Sequence, residues 1–105
     1  MDIFSAISDP TRRQIIESLA AKEASFGELA AQFEMSRPAV SQHLKVLRDS
    51  GVVKVRADAQ RRLYSLNNGG LDDLNNWLET LRSFWNPRLD RLEVLLNEED
   101  NHDNE

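Results

Sequence analysis

A chain of 105 residues, 40% hydrophobic and 30% charged, is long enough for one globular domain with a small core, to which a partner chain often adds burial. It contains no cysteine, which excludes disulfides, thiolate metal sites and cysteine nucleophiles. No apolar run approaches the roughly 18 residues of a membrane span and the start lacks a signal-peptide pattern, so a cytoplasmic protein without membrane contact is the simplest reading.

The formal net charge of -5 conceals a strong asymmetry. Residues 1–35 carry net -3, residues 65–96 net -2 and residues 97–105 net -5, whereas residues 36–64 hold seven basic and two acidic side chains, net +5. One basic block inside an acidic chain fits nucleic-acid binding, and it also fits the solvated face of a salt-bridged helix.

In chain order, a short apolar lead of Ile3, Phe4 and Ile7 comes first. Asp9 is placed to cap a helix that begins at Pro10, where a missing N–H costs nothing, and Ile15, Ile16 and Leu19 share one face of it. "KEA" is a short polar break. "SFGELAAQF" then pairs Ser25 with Glu28 in a capping-box pattern, with Phe26, Leu29, Ala30 and Phe33 as its buried stripe. Only Glu34 and Met35 separate that helix from the next cap, Ser36.

The stretch "MSRPAVSQHLKVLRDSGVV" reads as the decisive helix. Ser36 caps it, Pro38 lies in its first turn, and Val40, Leu44 and Leu47 face the core. Arg37, Ser41, Gln42, Lys45 and Arg48 fall on the opposite side, and Gly51 ends it. Alternation follows: Val53 and Val55 on one side, Lys54 and Arg56 on the other, then "RRLYSL" with Tyr64 and Leu66 inward. The pair forms a hairpin around "DAQ", and the absence of glycine there predicts a long, loose tip. Leu71, Leu74, Leu78, Leu81 and Trp85 repeat at heptad spacing on a last helix, with Asp72 and Asp73 in its first turn. Asn86-Pro87 either kinks that helix or ends it, with a restart capped by Asn86; the stripe resumes at Leu89 and Leu92. Residues 97–105 read as a disordered acidic tail behind a domain spanning 1–96.

The fold expected is mainly α with a small β-hairpin wing. Two helices joined by a tight turn, the second one basic, describe a helix-turn-helix, and the adjoining hairpin makes it winged. Arg37 suits guanine O6 and N7, Gln42 suits adenine N6 and N7, and Ser41 reaches a base or a phosphate. Lys45, Arg48 and the wing residues Lys54, Arg56, Arg61 and Arg62 are placed for phosphates, with Arg61 and Arg56 ranked above Arg62. Strand alternation puts Arg62 on the core-facing side. Ser36 and Pro38 complete the DNA-facing set, together with His43, which is read first as a packing and orienting residue.

"SDPTRRQIIESLA", "MSRPAVSQHLKVLRDSGVV" and "RRLYSL" resemble ArsR-type winged-helix transcriptional regulators over roughly residues 4–66. The resemblance implies a homodimer that represses promoters on double-stranded DNA. It also implies an interface built from the first and last helices: Ile3, Phe4, Ile7, Leu71, Leu74, Trp77, Leu78, Leu81, Trp85, Leu89 and Leu92. Metal-responsive relatives use cysteines in the first helix of the helix-turn-helix, or His and carboxylate ligands on the last helix. "FGELAAQF" offers no such ligand and residues 71–96 contain no histidine, so neither metal nor other cofactor is expected. An unidentified small-molecule or protein effector remains open.

Blander readings accompany several of these features. Trp77, Phe84 and Trp85 are core or interface residues before they are a ligand pocket. Arg12 and Arg13 touch the DNA backbone near the helix start or, as readily, form surface salt bridges, and His102 is read as a solvated tail residue. An enzyme is not expected: there is no nucleophile–base–orienter set and no Gly-rich phosphate loop. A winged helix used only for protein docking is the competing class, and it would show an apolar or mixed-charge face in place of the basic one.

Overall fold

The computed structural model describes the backbone of residues 2–103; it does not describe the side chains of residues 86–90, 92–94 and 97–103. Helices α1 (Ile3–Ala6), α2 (Pro10–Ala21), α3 (Phe26–Ala30), α4 (Arg37–Asp49) and α5 (Asp72–Asp103) are joined by strands β1 (Ala24–Ser25), β2 (Val53–Asp58) and β3 (Arg61–Leu66) and a 3-10 turn at Asn68–Leu71. The chain divides into two units, one up to Leu74 and one from Asn75 onward.

Local chemistry sets most of the helix starts in the first unit. The Asp9 carboxylate accepts from the Arg12 N–H at 3.0 Å, with Pro10 in the first turn. Ser25 and Glu28 close the expected reciprocal box at 3.2 Å in both directions. Asp2 caps α1, with its carboxylate 2.9 Å from the Ser5 N–H. These caps satisfy amides that a helix cannot pair internally. The core they frame is apolar: Ile15, Leu19, Leu29, Val40, Leu44, Leu47 and Val52 are buried, with Ala24, Val53, Leu63 and Tyr64 from the sheet.

Four features depart from expectation. The polar break after α2 contains β1, whose Ala24 and Ser25 pair antiparallel with Tyr64 and Leu63, so the sheet has three strands in the order β1-β3-β2. β3 is therefore central, and both Leu63 and Tyr64 are buried in place of a clean alternation. Secondly, α3 stops at Ala30. Gln32 and Phe33 donate to the carbonyls of Leu29 and Ala30, tightening the last turn so that Phe33 and Met35 pack on the core, and five residues precede Ser36 in place of two.

Thirdly, the wing tip is tight. Asp58 pairs with Arg61, so only Ala59 and Gln60 form the loop, and Ala59 takes a positive φ of 56°. Six paired positions from Val53 to Asp58 impose the register, and the strain of a left-handed alanine is the local cost. Fourthly, one helix runs from Asp72 to Asp103. It passes through Pro87 without a restart; Asn104 and Glu105 lie outside the described residues.

Candidate nucleic-acid interface

Helix α4 is held from three sides. Its inner residues Val40, Leu44 and Leu47 are fully buried. The Ser36 hydroxyl accepts from the Ala39 N–H at 3.3 Å, which fixes its start. At its end Gly51 (φ 84°) donates to the Arg48 carbonyl and Val52 to the Leu47 carbonyl, a Schellman closure that needs glycine at that position. Gly70 abuts this closure so closely that a Cβ there would lie 1.6 Å from the Gly51 oxygen, and the Asn67 side-chain amide donates to the same oxygen at 3.0 Å.

The outer face of α4 carries Arg37, Pro38, Ser41, Gln42, Lys45 and Arg48, all exposed. No carboxylate pairs with any of these cations among the described residues. The Arg37 guanidinium lies over the ring of Phe26, 5.7 Å from its centroid. His43 is half-buried at the rim, its Nδ1 3.4 Å from Arg12 Nη1 and 3.9 Å from the Asp9 carboxylate. That position places the imidazole against Asp9 and Arg12 at the start of α2. Arg12 also donates to the Ser5 and Ala6 carbonyls (3.1 and 2.6 Å), and Arg13 to the Ile7 carbonyl (2.8 Å), so both tie down the first helix.

The wing is arranged differently. Arg56 is engaged by Glu23 at 2.7 Å, and Arg61 by Asp58 at 3.0 Å. Both pairs are solvent-exposed, where ion pairs contribute little to stability. The hydrogen bond that Arg56 donates to Glu23, followed by the Glu23 charge, raises the Arg56 pKa above the usual guanidinium value. Arg62 has no ion pair among the described residues and is exposed. It lies on the Tyr64 side of β3, as alternation requires, but beyond the edge of the core. There it lines a groove of about 320 Å³ with Ser41, Lys45 and Arg48 of α4. Arg62 stands beside the α4 cations, while Arg56 and Arg61 hold carboxylates. A second groove of about 580 Å³ adjoins it, lined by Ser25, Phe26, Gly27, Ser41 and Tyr64 with Gln60, Arg61 and Arg62 of the wing.

Sequence reasoning missed Phe26, Glu23 and Asp58 as part of this surface. Phe26 sits 11 residues from Arg37 and Glu23 33 residues from Arg56, separations that no local pattern reports. Two carboxyls that hold the scaffold titrate low. The Arg12 backbone N–H keeps Asp9 below its ordinary value, and the Ser25 backbone N–H does the same for Glu28.

The residues expected at a dimer interface separate into groups. Ile3 is 3% exposed and belongs to the chain's own core, so a partner cannot reach it. Phe4 is 41% exposed, while Ile7, Leu71 and Leu74 line an apolar groove of about 220 Å³ with Ile16. In the second unit Trp77 and Trp85 are 48% and 49% exposed, and Leu78 and Leu81 are half-buried. Phe84 and Trp85 meet edge to face at 5.4 Å. The side chains of Leu89 and Leu92 lie outside the described residues.

A three-helix core with a helix-turn-helix and a β-hairpin beside it defines a winged helix-turn-helix DNA-binding regulator. The sequence profile of the bacterial regulatory proteins of the arsR family matches residues 9–55. The chain is 39% identical over 77 residues to the transcriptional repressor SdpR of Bacillus subtilis, covering 73% of this chain and 86% of that one. It is 42% identical over 96 residues to the HTH-type transcriptional regulator Rv2034 of Mycobacterium tuberculosis, covering 91% and 87%. Among solved structures, an ArsR family transcriptional regulator superposes with a TM-score of 0.71 at 30% identity, covering 80% of this chain and 92% of that chain. The chain belongs to the arsR family: it is a DNA-binding transcriptional regulator and not an enzyme.

Proposed function

We propose that the chain is a homodimeric repressor that binds a pseudo-palindromic operator through α4 and the wing, without a metal signal. The observation that carries this reading is the outer face of α4, where Arg37, Ser41, Gln42, Lys45 and Arg48 stand exposed on a helix fixed by a buried inner face. A rigid helix showing polar side chains at one face fits the major groove. Arg37 and Gln42 read bases; Ser36, Ser41, Lys45, Arg48, Lys54 and Arg62 hold the backbone, and Arg56 and Arg61 join them by exchanging a carboxylate for a phosphate. Repression is supported by the name that SdpR carries.

Two copies joined through Phe4, Ile7, Leu71, Leu74 and the α5 residues Trp77, Leu78, Leu81 and Trp85 would cover apolar surface that one chain leaves open. Metal independence is supported by the donor set. The sequence has no cysteine and no histidine between His43 and His102, and Glu79 of α5 is already paired with Arg82. Thiolate or imidazole ligation does not fit these residues. With no helix long and apolar enough to cross a membrane among the described residues, a cytoplasmic site of action on DNA is consistent with the chain.

Selection of binding sites from random duplex DNA tests the reading. The expected product is an inverted repeat whose half-sites lie about one helical turn, 10–10.5 base pairs, apart. Binding to it should weaken steeply with salt, as befits roughly 6–10 neutralised phosphates per dimer. Selection of a single asymmetric half-site, or a flat salt dependence, would contradict it.

A further inference from the structure

The contact between Phe26 and Arg37 carries a function of its own. An arginine that reads guanine must present two parallel N–H donors to O6 and N7, which costs less when the side chain is ordered before it binds. Order can come from a carboxylate partner, but that partner occupies the same donors and cancels the charge. Arg56 and Arg61 are held in that way, by Glu23 and Asp58. Arg37 is held otherwise: its guanidinium lies 5.7 Å from the centroid of the Phe26 ring. Attraction to a ring face engages no carboxylate and leaves the charge intact.

Phe26 is suited to the task by its placement. It is the first residue of α3, directly after the Ser25 cap, whose hydroxyl and amide are both engaged by Glu28. Part of its ring packs on the core while part borders the groove that also contains Ser41 and Tyr64. Arg37 in turn is the first residue of α4, directly after the Ser36 cap. The contact therefore joins the starts of the two helices of the helix-turn-helix, each fixed by its own cap.

Resting on the reading of Arg37 as a base contact, we propose that Phe26 is a positioning residue for sequence discrimination: it holds the Arg37 guanidinium ready for guanine without touching DNA itself. The measured quantity is the ratio of affinities for the selected operator and for the operator with the Arg37-contacted G·C pair replaced by A·T. In Phe26→Leu, which keeps an apolar side chain against the core, that ratio should fall roughly three- to tenfold, the range expected for ordering one long side chain on binding. Affinity for random DNA and the salt slope should stay as in the parent. Phe26→Trp should restore the ratio, since indole gives the strongest cation–π face. Combining Phe26→Leu with Arg37→Ala should lower the ratio no further than Arg37→Ala does. Circular dichroism melts accompany each variant, and Phe26→Met repeats the test with a more adaptable side chain if Phe26→Leu unfolds.

An unchanged ratio in folded Phe26→Leu or Phe26→Met, or an equal loss on operator, substituted operator and random DNA, would overturn the proposal. So would a folded Phe26→Trp that fails to restore the ratio. If Arg37→Ala itself leaves the guanine preference intact, the base-reading role of Arg37 falls and this proposal falls with it. If Arg37→Ala abolishes the preference and Phe26→Leu does not, only the role of Phe26 is lost.

Discussion

Helix α4 and the wing hold comparable numbers of cations and treat them in opposite ways. On α4, Arg37, Lys45 and Arg48 project from a helix whose inner face is locked into the core, and none is paired with a carboxylate among the described residues. On the wing, Arg56 and Arg61 already hold Glu23 and Asp58. Arg62, at the groove it shares with α4, and the exposed Lys54 have no carboxylate partner among the described residues. The contrast separates two tasks. A rigid face with free donors can distinguish bases, whereas a cation that must first release a carboxylate is better suited to moderating affinity for any duplex.

The largest expected effect tests the rigid half of the comparison. Leu44→Ala removes a fully buried side chain beneath the outer face and should destabilise the fold by about 2–5 kcal/mol in denaturant titration. A loss well below this range would mean that the inner face of α4 is not the anchor described. Next comes the capping of α2, the helix against which α4 packs. Asp9→Ala should cost about 1 kcal/mol near neutral pH, because the Arg12 N–H loses its acceptor.

That contribution has a sign in pH. The folded carboxyl of Asp9 titrates below its ordinary 3.8, held there chiefly by the Arg12 backbone N–H. Its stabilisation is therefore complete above 3.8 and is lost as pH falls through the lower, folded value. Thermal melts of parent and Asp9→Ala should converge in acid, and a gap that persists there would assign the effect to something other than the charged cap.

The wing gives smaller effects. Ala59→Gly relieves a positive φ at the cost of a looser unfolded chain, and should stabilise by about 0.5–1 kcal/mol in the same titration; a destabilised variant would mean that the strain is absent. Glu23→Gln should leave the melting temperature nearly unchanged. By freeing Arg56, it should tighten binding to all sequences alike and steepen the slope of log K against log salt by about one per protomer. A change in sequence preference in that variant would erase the division between helix and wing.

What could be read from the residue order follows the range of the interactions involved. Asp9, Ser25, Ser36 and Gly51 act on amides and carbonyls a few residues away, so their types and spacing announce the helix ends. The Val40, Leu44, Leu47 stripe is likewise a local periodicity, and it placed the outer face of α4 correctly. β1 is two residues long and exists only through pairing with Tyr64 and Leu63, some 40 positions onward, so no alternation could signal it. The wing tip looked loose because its residues dislike a tight turn, and the register of six strand pairs overrode that preference. Alternation gives the side of β3 on which Arg62 lies, but not where the core ends along the strand. The Glu23–Arg56 pair and the Phe26 contact are tertiary, the Asp58–Arg61 pair depends on the tight tip, and charge counting treats every arginine alike.

The most direct test of the division between helix and wing compares Arg37→Ala with Arg62→Ala on the selected operator and on random DNA. Arg37→Ala should cost about 1–3 kcal/mol on the operator and little on random sequence, so its specificity ratio collapses, whereas Arg62→Ala should weaken both alike and lower the salt slope by about one per protomer. Equal losses on both DNAs for Arg37→Ala, or a collapsed ratio for Arg62→Ala, would contradict the account.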